Sequence, residues 1–180
     1  MSLKTIQKTT KDNATETHTD DNHYLGFTIS SEVFAIGILN IKEILEYGNL
    51  TTVPMMPSFV RGLINLRGSV VPVIDLSARF TNKVSEVTKR TCILIIELHS
   101  GEDLHVIGVM VDAVSAVLEI PVDAIEPPPM LGSKIRTDFI EGMGKIDDQF
   151  VIILNVDKVL SMDELSILNQ SAELESITNL

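Results

Sequence analysis

Tryptophan is absent from this chain, cysteine occurs once, and only 4% of the residues are aromatic. A groove for proline-rich peptides needs clustered aromatics to stack on proline rings, and two Tyr are a poor supply. One cysteine excludes an internal disulfide framework and cannot complete a zinc site. Cys92 stands in the apolar run Thr91-Cys92-Ile93-Leu94-Ile95-Ile96, which reads as a buried strand, so its thiol is expected to be an inert small hydrophobe. No charged n-region and apolar h-region precede a cleavage site, and the longest apolar runs are too short to span a bilayer. These absences point to a cytoplasmic protein without direct membrane insertion.

Positive charge is also scarce: 14 Lys and Arg face 25 Asp and Glu, a formal charge of −11. Such a surface repels phosphate backbones and anionic lipid, so nucleic acid is not an expected partner. Solubility alone is a sufficient reason for the charge.

The groups that catalysis needs are scattered. His18 and His23 lie in or beside a polar tail, His99 is beside a turn, and His105 is within a strand; no pair has metal-ligand spacing. Gly142-Met143-Gly144 lacks the further Gly, Lys and Ser/Thr of a phosphate loop. Asp147-Asp148 reads as a solvated hairpin tip rather than a cation site. The expectation is a protein that is not an enzyme and uses no metal or cofactor.

What the chain does have is Val, Ile and Leu punctuated by Gly and Pro, the composition of a β-rich core. Residues 1–22 are too polar to offset their ordering entropy and read as a disordered tail. Strands are expected at Tyr24–Ile29, Val33–Ile36, Leu63–Arg67, Val70–Ile74, Thr91–Leu98, Leu104–Val111 and Gln149–Leu154. Ile38, Ile41, Ile44 and Leu45 recur at helical spacing, which predicts a short amphipathic helix ending near Gly48-Asn49. Ser161-Met162-Asp163-Glu164 fits a capping box opening a terminal helix.

The two halves repeat each other. Phe59-Val60-Arg61-Gly62-Leu63 aligns with Phe139-Ile140-Glu141-Gly142-Met143, and Val70–Leu76 aligns with Phe150–Val156 at the same offset. Upstream, Ile38, Ile41, Ile44 and Leu45 match Val111, Val114, Val117 and Leu118, which places an insertion within Leu131–Thr137. The expected divisions are a tail at 1–22, a first small barrel at about 23–88, a second at about 89–160 with exchange of strands allowed, and a helix and tail at 161–180. Asn65-Leu66-Arg67-Gly68 admits an ordinary hairpin reading. The stripe of Ile41, Ile44, Val114 and Val117 admits a core reading, or a groove suited to an incoming helix.

Taken together, Ile38–Leu45, Phe59–Leu76 with its Asn-Leu-Arg-Gly and Val-Pro segments, Gly108–Val114 and Phe139–Gly144 closely resemble the CheW family over roughly residues 23–168. The resemblance implies two SH3-like five-stranded β-barrels packed together, with short helices. It implies an adaptor of two-component chemotaxis signalling, a scaffold whose partners are the cytoplasmic tip of a methyl-accepting chemoreceptor and the regulatory domain of the histidine kinase CheA. By position it implies a receptor-binding groove at Ile41, Glu43, Ile44, Gly62, Arg67, Val114 and Val117, with Glu43 and Arg67 as an acid–base pair. Pro127-Pro128-Pro129 and Leu131–Thr137 depart from the family pattern. A scaffold of another array, for example in pilus-based motility, and a receiver-linked coupling protein cut short remain alternatives.

Overall fold

The structure is a computed structural model that describes residues 20–128, 137–161 and 163–168. Of the expected disordered tail, residues 1–19 lie outside the described residues. The last three, Asp20–Asn22, form a 3-10 turn whose Asn22 carbonyl accepts the Ile120 amide at 2.9 Å. The insertion expected within Leu131–Thr137 also falls largely outside them.

The strands run β1 (His23–Ile29), β2 (Glu32–Gly37), β3 (Ile41–Glu46), β4 (Val60–Leu66), β5 (Ser69–Asp75), β6 (Cys92–Ser100), β7 (Asp103–Val111), β8 (Ala113–Glu119), β9 (Ile125–Glu126), β10 (Ile140–Ile146) and β11 (Gln149–Leu154). Helix α1 spans Leu76–Thr81, and residues 163–168 belong to helix α2. The strands make two curled sheets, ordered β3-β6-β7-β5-β4 and β8-β1-β2-β11-β10-β9. The fold is mainly β, with the two SH3-like barrel subdomains that the family resemblance implied.

Neither stretch of sequence corresponds to one sheet. β1 and β2 cross into the six-stranded sheet, and β6 and β7 cross into the five-stranded one. The repeat survives this exchange. β4–β5 and β10–β11 are the same hairpin, with register shifts at Val60/Gly62 and at Ile140/Gly142. Asp75 N–H donates to the Phe59 carbonyl at 2.7 Å, and Asn155 N–H donates to that of Phe139 at 2.9 Å.

The long apolar runs are explained by three cores. In β6, Ile93 and Ile95 point into the core of the five-stranded barrel, while Leu94, Ile96 and Leu98 point into a core shared by both sheets. In β1, Tyr24 faces the core of the six-stranded barrel, while Leu25, Phe27 and Ile29 face the shared one. A strand buried on both faces has no polar alternation to display. Phe27, Phe34, Phe80 and Phe139 form a chain of ring contacts at 6.1, 6.0 and 5.5 Å through this seam.

Helix α1 had no recognised sequence signal. Its start is set by the buried carboxylate of Asp75, whose Oδ1 accepts the amides of Ser77 and Ala78 at 3.0 and 3.3 Å. The same carboxylate holds Ser85 through its amide and its hydroxyl, both at 2.8 Å, and so anchors the loop that leads to β6. The capping box of α2 is present: Ser161 Oγ accepts the Glu164 amide at 3.2 Å, and Glu164 Oε1 accepts the Ser161 amide at 2.9 Å.

Candidate functional site

The expected helix over Ile38–Leu45 is a strand. Only Ile38–Asn40 makes a 3-10 turn; Ile41–Glu46 is β3, an edge strand paired with β6. The helical spacing has a physical cause. Ile41 opposes Ile96 and Glu43 opposes Ile95, so Lys42 is an extra residue in a β-bulge. The bulge lets Ile41 and Ile44, three residues apart, share one face of the strand, a spacing that mimics a helix.

That face looks toward the shared core. Ile44 opposes Leu94 and is 46% exposed, while Ile41 is half-buried against the core. The equivalent edge strand β8 has the same bulge: Val117 opposes Leu25 and Val114 opposes Phe27. Val117 is 51% exposed and Val114 packs on the shared core. Cys92 of β6 packs on the same shared core as Val114 of β8. Ile41, Ile44, Val114 and Val117 therefore belong to one seam between the barrels, the inner pair half-buried and the outer pair wet.

Glu43 and Arg67 belong to the other face of β3. Arg67 Nη2 donates to Glu43 Oε1 at 3.2 Å. Arg67 sits at the tip of the β4–β5 hairpin with φ +52°, followed by Gly68 at +87°, so the side chain is held in left-handed backbone. Because β3 and β4 are opposite edges of their sheet, this ion pair helps to close the barrel. The closure continues at the far end, where Thr51 and Leu63 exchange two 2.8 Å hydrogen bonds and Arg61 Nε donates to the Tyr47 hydroxyl at 3.3 Å. With Arg67 79% exposed, the pair contributes only about 0–1 kcal/mol.

Two further residues join this face without having been singled out in the sequence. The bulge turns Lys42 to the same side as Glu43, where its Nζ reaches Glu97 Oε1 at 3.0 Å. Glu97 is the one acid in a strand that is otherwise almost entirely apolar, and that isolation was the available signal. Both ion pairs rim a cleft of about 660 Å³ that is floored by Val71, Ile95 and Val106 and flanked by the exposed Leu104.

Gly62 lies apart from both groups. A Cβ there would stand 2.6 Å from the Thr51 carbonyl oxygen, so its glycine is needed for barrel closure. Gly142 matches it in the second barrel, where a Cβ would meet Ile125 Cγ2 at 2.6 Å. The seven candidate residues thus divide into a seam quartet, a rim pair and a closure glycine.

His99 Nδ1 lies 3.9 Å from Asp157 Oδ1 on an exposed edge. Among the described residues no three of His, Cys, Asp and Glu are grouped to hold a metal ion. Burial, and next the charge of Glu46, push the Cys92 thiol up from its ordinary value. Among the described residues no helix is long and apolar enough to cross a membrane.

Two related SH3-like barrels, packed across a shared core with bulged strands framing their seam, define a duplicated scaffold module. The chain belongs to the CheW-like domain family, whose model matches residues 23–164. Chemotaxis protein CheW of Helicobacter pylori is 33% identical over 89% of this chain and 97% of its own length. The Klebsiella aerogenes protein of that name is 31% identical over 83% and 88%. The crystal structure of the scaffolding protein TtCheW from Thermoanaerobacter tengcongensis superposes with a TM-score of 0.72 at 33% identity, covering 80% of this chain and 90% of that one.

Proposed function

We propose that this protein is a non-catalytic cytoplasmic adaptor of bacterial chemotaxis, coupling the hairpin tip of a chemoreceptor to the regulatory domain of the kinase CheA. The observation that carries the reading is the matched pair of bulged edge strands, which set Ile44 and Val117 wet beside a core that both barrels share. An incoming helix covers such aliphatics with an apolar face, at i, i+3 and i+4 spacing. Glu43 and Arg67 shape the adjoining hairpin edge, and Gly62 acts by holding that barrel closed. Relatives named for chemotaxis along most of their length support the pathway.

Ile44→Glu and Val117→Glu test the seam. In the free protein each carboxylate stays in water. On docking it must be desolvated, which costs several kcal/mol if unpaired. Titration calorimetry with a receptor tip should show at least tenfold weaker binding by both variants with unchanged melting, a loss of about 1.4 kcal/mol or more. Kinase binding should persist. Wild-type affinity in both folded variants would overturn the seam assignment. Ile41→Glu is a poor probe because Ile41 packs on the core.

A further inference from the structure

The seam between the barrels carries a second feature. Arg79, in the last turn of α1, extends from the five-stranded barrel into the C-terminal segment of the other. Its guanidinium carbon lies 4.7 Å from the Phe59 ring centre and 5.2 Å from that of Phe139. These phenylalanines are equivalent positions of the two repeats, so the cation bridges the same point of each barrel. Arg79 Nε donates to the Val159 carbonyl at 3.0 Å, and Nη2 donates to Glu164 Oε1 at 2.8 Å. The Arg79 and Glu164 side chains are only 16% and 20% exposed.

The last contact reaches α2. Glu164 Oε1 accepts both the Arg79 guanidinium and the Ser161 amide of the capping box. The described turns of helix α2 lie directly on the shared core. They are held by Leu165 and Leu168, which are buried in the shared core, and by this carboxylate. A planar guanidinium can lie between two rings and donate along two edges at once; an ammonium cannot. Truncating Arg79 would leave the Val159 carbonyl and the Glu164 carboxylate short of a donor in a mostly buried place.

We propose that Arg79 is the positioning residue of the seam: it sets how the two barrels face one another and couples α2 to that setting. This rests on the adaptor reading only where receptor affinity is concerned. Loss of the clamp frees the barrels to rock about their shared core, and the bulged edges that flank the same seam then lose their spacing.

The test places spin labels at Leu104→Cys and Phe150→Cys, one exposed position on each barrel, in a Cys92→Ala background. Double electron–electron resonance should give a narrow distance distribution with Arg79 present and a broader one with Arg79→Ala. Arg79→Lys should not restore it, because charge alone cannot grip both rings. Glu164→Gln, which leaves the rings untouched, keeps the test alive if Arg79→Ala fails to fold. It should speed amide exchange across 163–168 and broaden the distribution less. Receptor-tip affinity should fall about tenfold in Arg79→Ala, within the usual range for coupled sites. A distribution as narrow as wild type in every folded variant would overturn the proposal. Failure of the wild-type protein to bind a receptor tip would instead sink the adaptor reading and leave the distance result standing.

Discussion

The two bulged edge strands share geometry and differ in chemistry. In β3 the bulge carries Lys42 and Glu43, paired with Glu97 and Arg67 beside an open cleft. In β8 the same place carries Ser115 and Ala116, packed so closely on Gly26 that a Cβ there would stand 2.7 Å from Ser115 Oγ. The hairpin tips contrast too: Arg67-Gly68 in one barrel, Asp147-Asp148 in the other, all four in left-handed backbone. The asymmetry extends to whole barrels. Residues 41–112 hold seven Lys and Arg against eight acids, whereas the described residues of 20–40 and 113–168 hold two against thirteen. Duplication preserved the apolar geometry that makes the seam, while the solvent-facing chemistry diverged. A two-faced scaffold gains direction in this way, since a partner that fits one barrel meets the wrong charge on the other.

Where the barrels share a core they should respond alike, and the largest effects belong there. Leu94→Ala and Leu25→Ala remove equivalent side chains beneath Ile44 and Val117. Each should cost about 3 kcal/mol in urea unfolding, from lost transfer energy plus a cavity. Costs differing by more than about 1.5 kcal/mol would break the equivalence.

The closure glycines should separate the barrels. Gly62→Ala drives a methyl into the Thr51 carbonyl, part of a backbone bridge, and should cost about 2–3 kcal/mol. Gly142→Ala meets the Ile125 side chain first, which can shift, and should cost about 1–2 kcal/mol. The reverse order in thermal melts would mean that the second barrel is the more tightly closed.

Smaller changes are expected at the hairpin tips. Arg67→Asn creates Asn-Gly, the pair best suited to a two-residue turn with positive φ at both positions. The better turn should offset the lost ion pair, leaving stability within about 0.5 kcal/mol of wild type. Replacing Asp147-Asp148 by Asn-Gly breaks no ion pair among the described residues and should stabilise by about 0.5–1 kcal/mol. Equal gains at both tips would show that the Glu43–Arg67 pair contributes nothing.

The smallest effect concerns alkaline pH. Tyr24 occupies in one barrel the position that Ile93 occupies in the other, and burial, then Glu141 and Asp21, raise its hydroxyl above the ordinary value. A raised folded value means that the unfolded chain releases this proton first. Tyr24 therefore adds stability below about pH 10 that is lost as pH climbs toward the folded value. Tyr24→Phe should flatten the fall in melting temperature above pH 10. The raised Cys92 thiol acts in the same direction from a lower pH, so the comparison belongs in a Cys92→Ala background.

The sequence by itself determined the β-rich composition, most strand positions, the repeat of Phe59–Leu76 in Phe139–Val156, and the capping box at Ser161. These depend on nearest-neighbour chemistry, which a linear pattern records. It also paired Ile41 with Val114 and Ile44 with Val117 correctly while assigning Ile41 and Ile44 to a helix. A bulge adds one residue to a period of two, and apolar spacing alone cannot separate that from a helical turn. Only the tertiary structure decided that β1–β2 and β6–β7 change barrels, because exchange depends on which sheet edge is free when strands pair. It also placed Lys42 beside Glu97, and Arg79 between two equivalent phenylalanines. The ion pairs Lys42–Glu97 and Arg79–Glu164 join residues 55 and 85 positions apart, and no local pattern encodes a distance closed by folding.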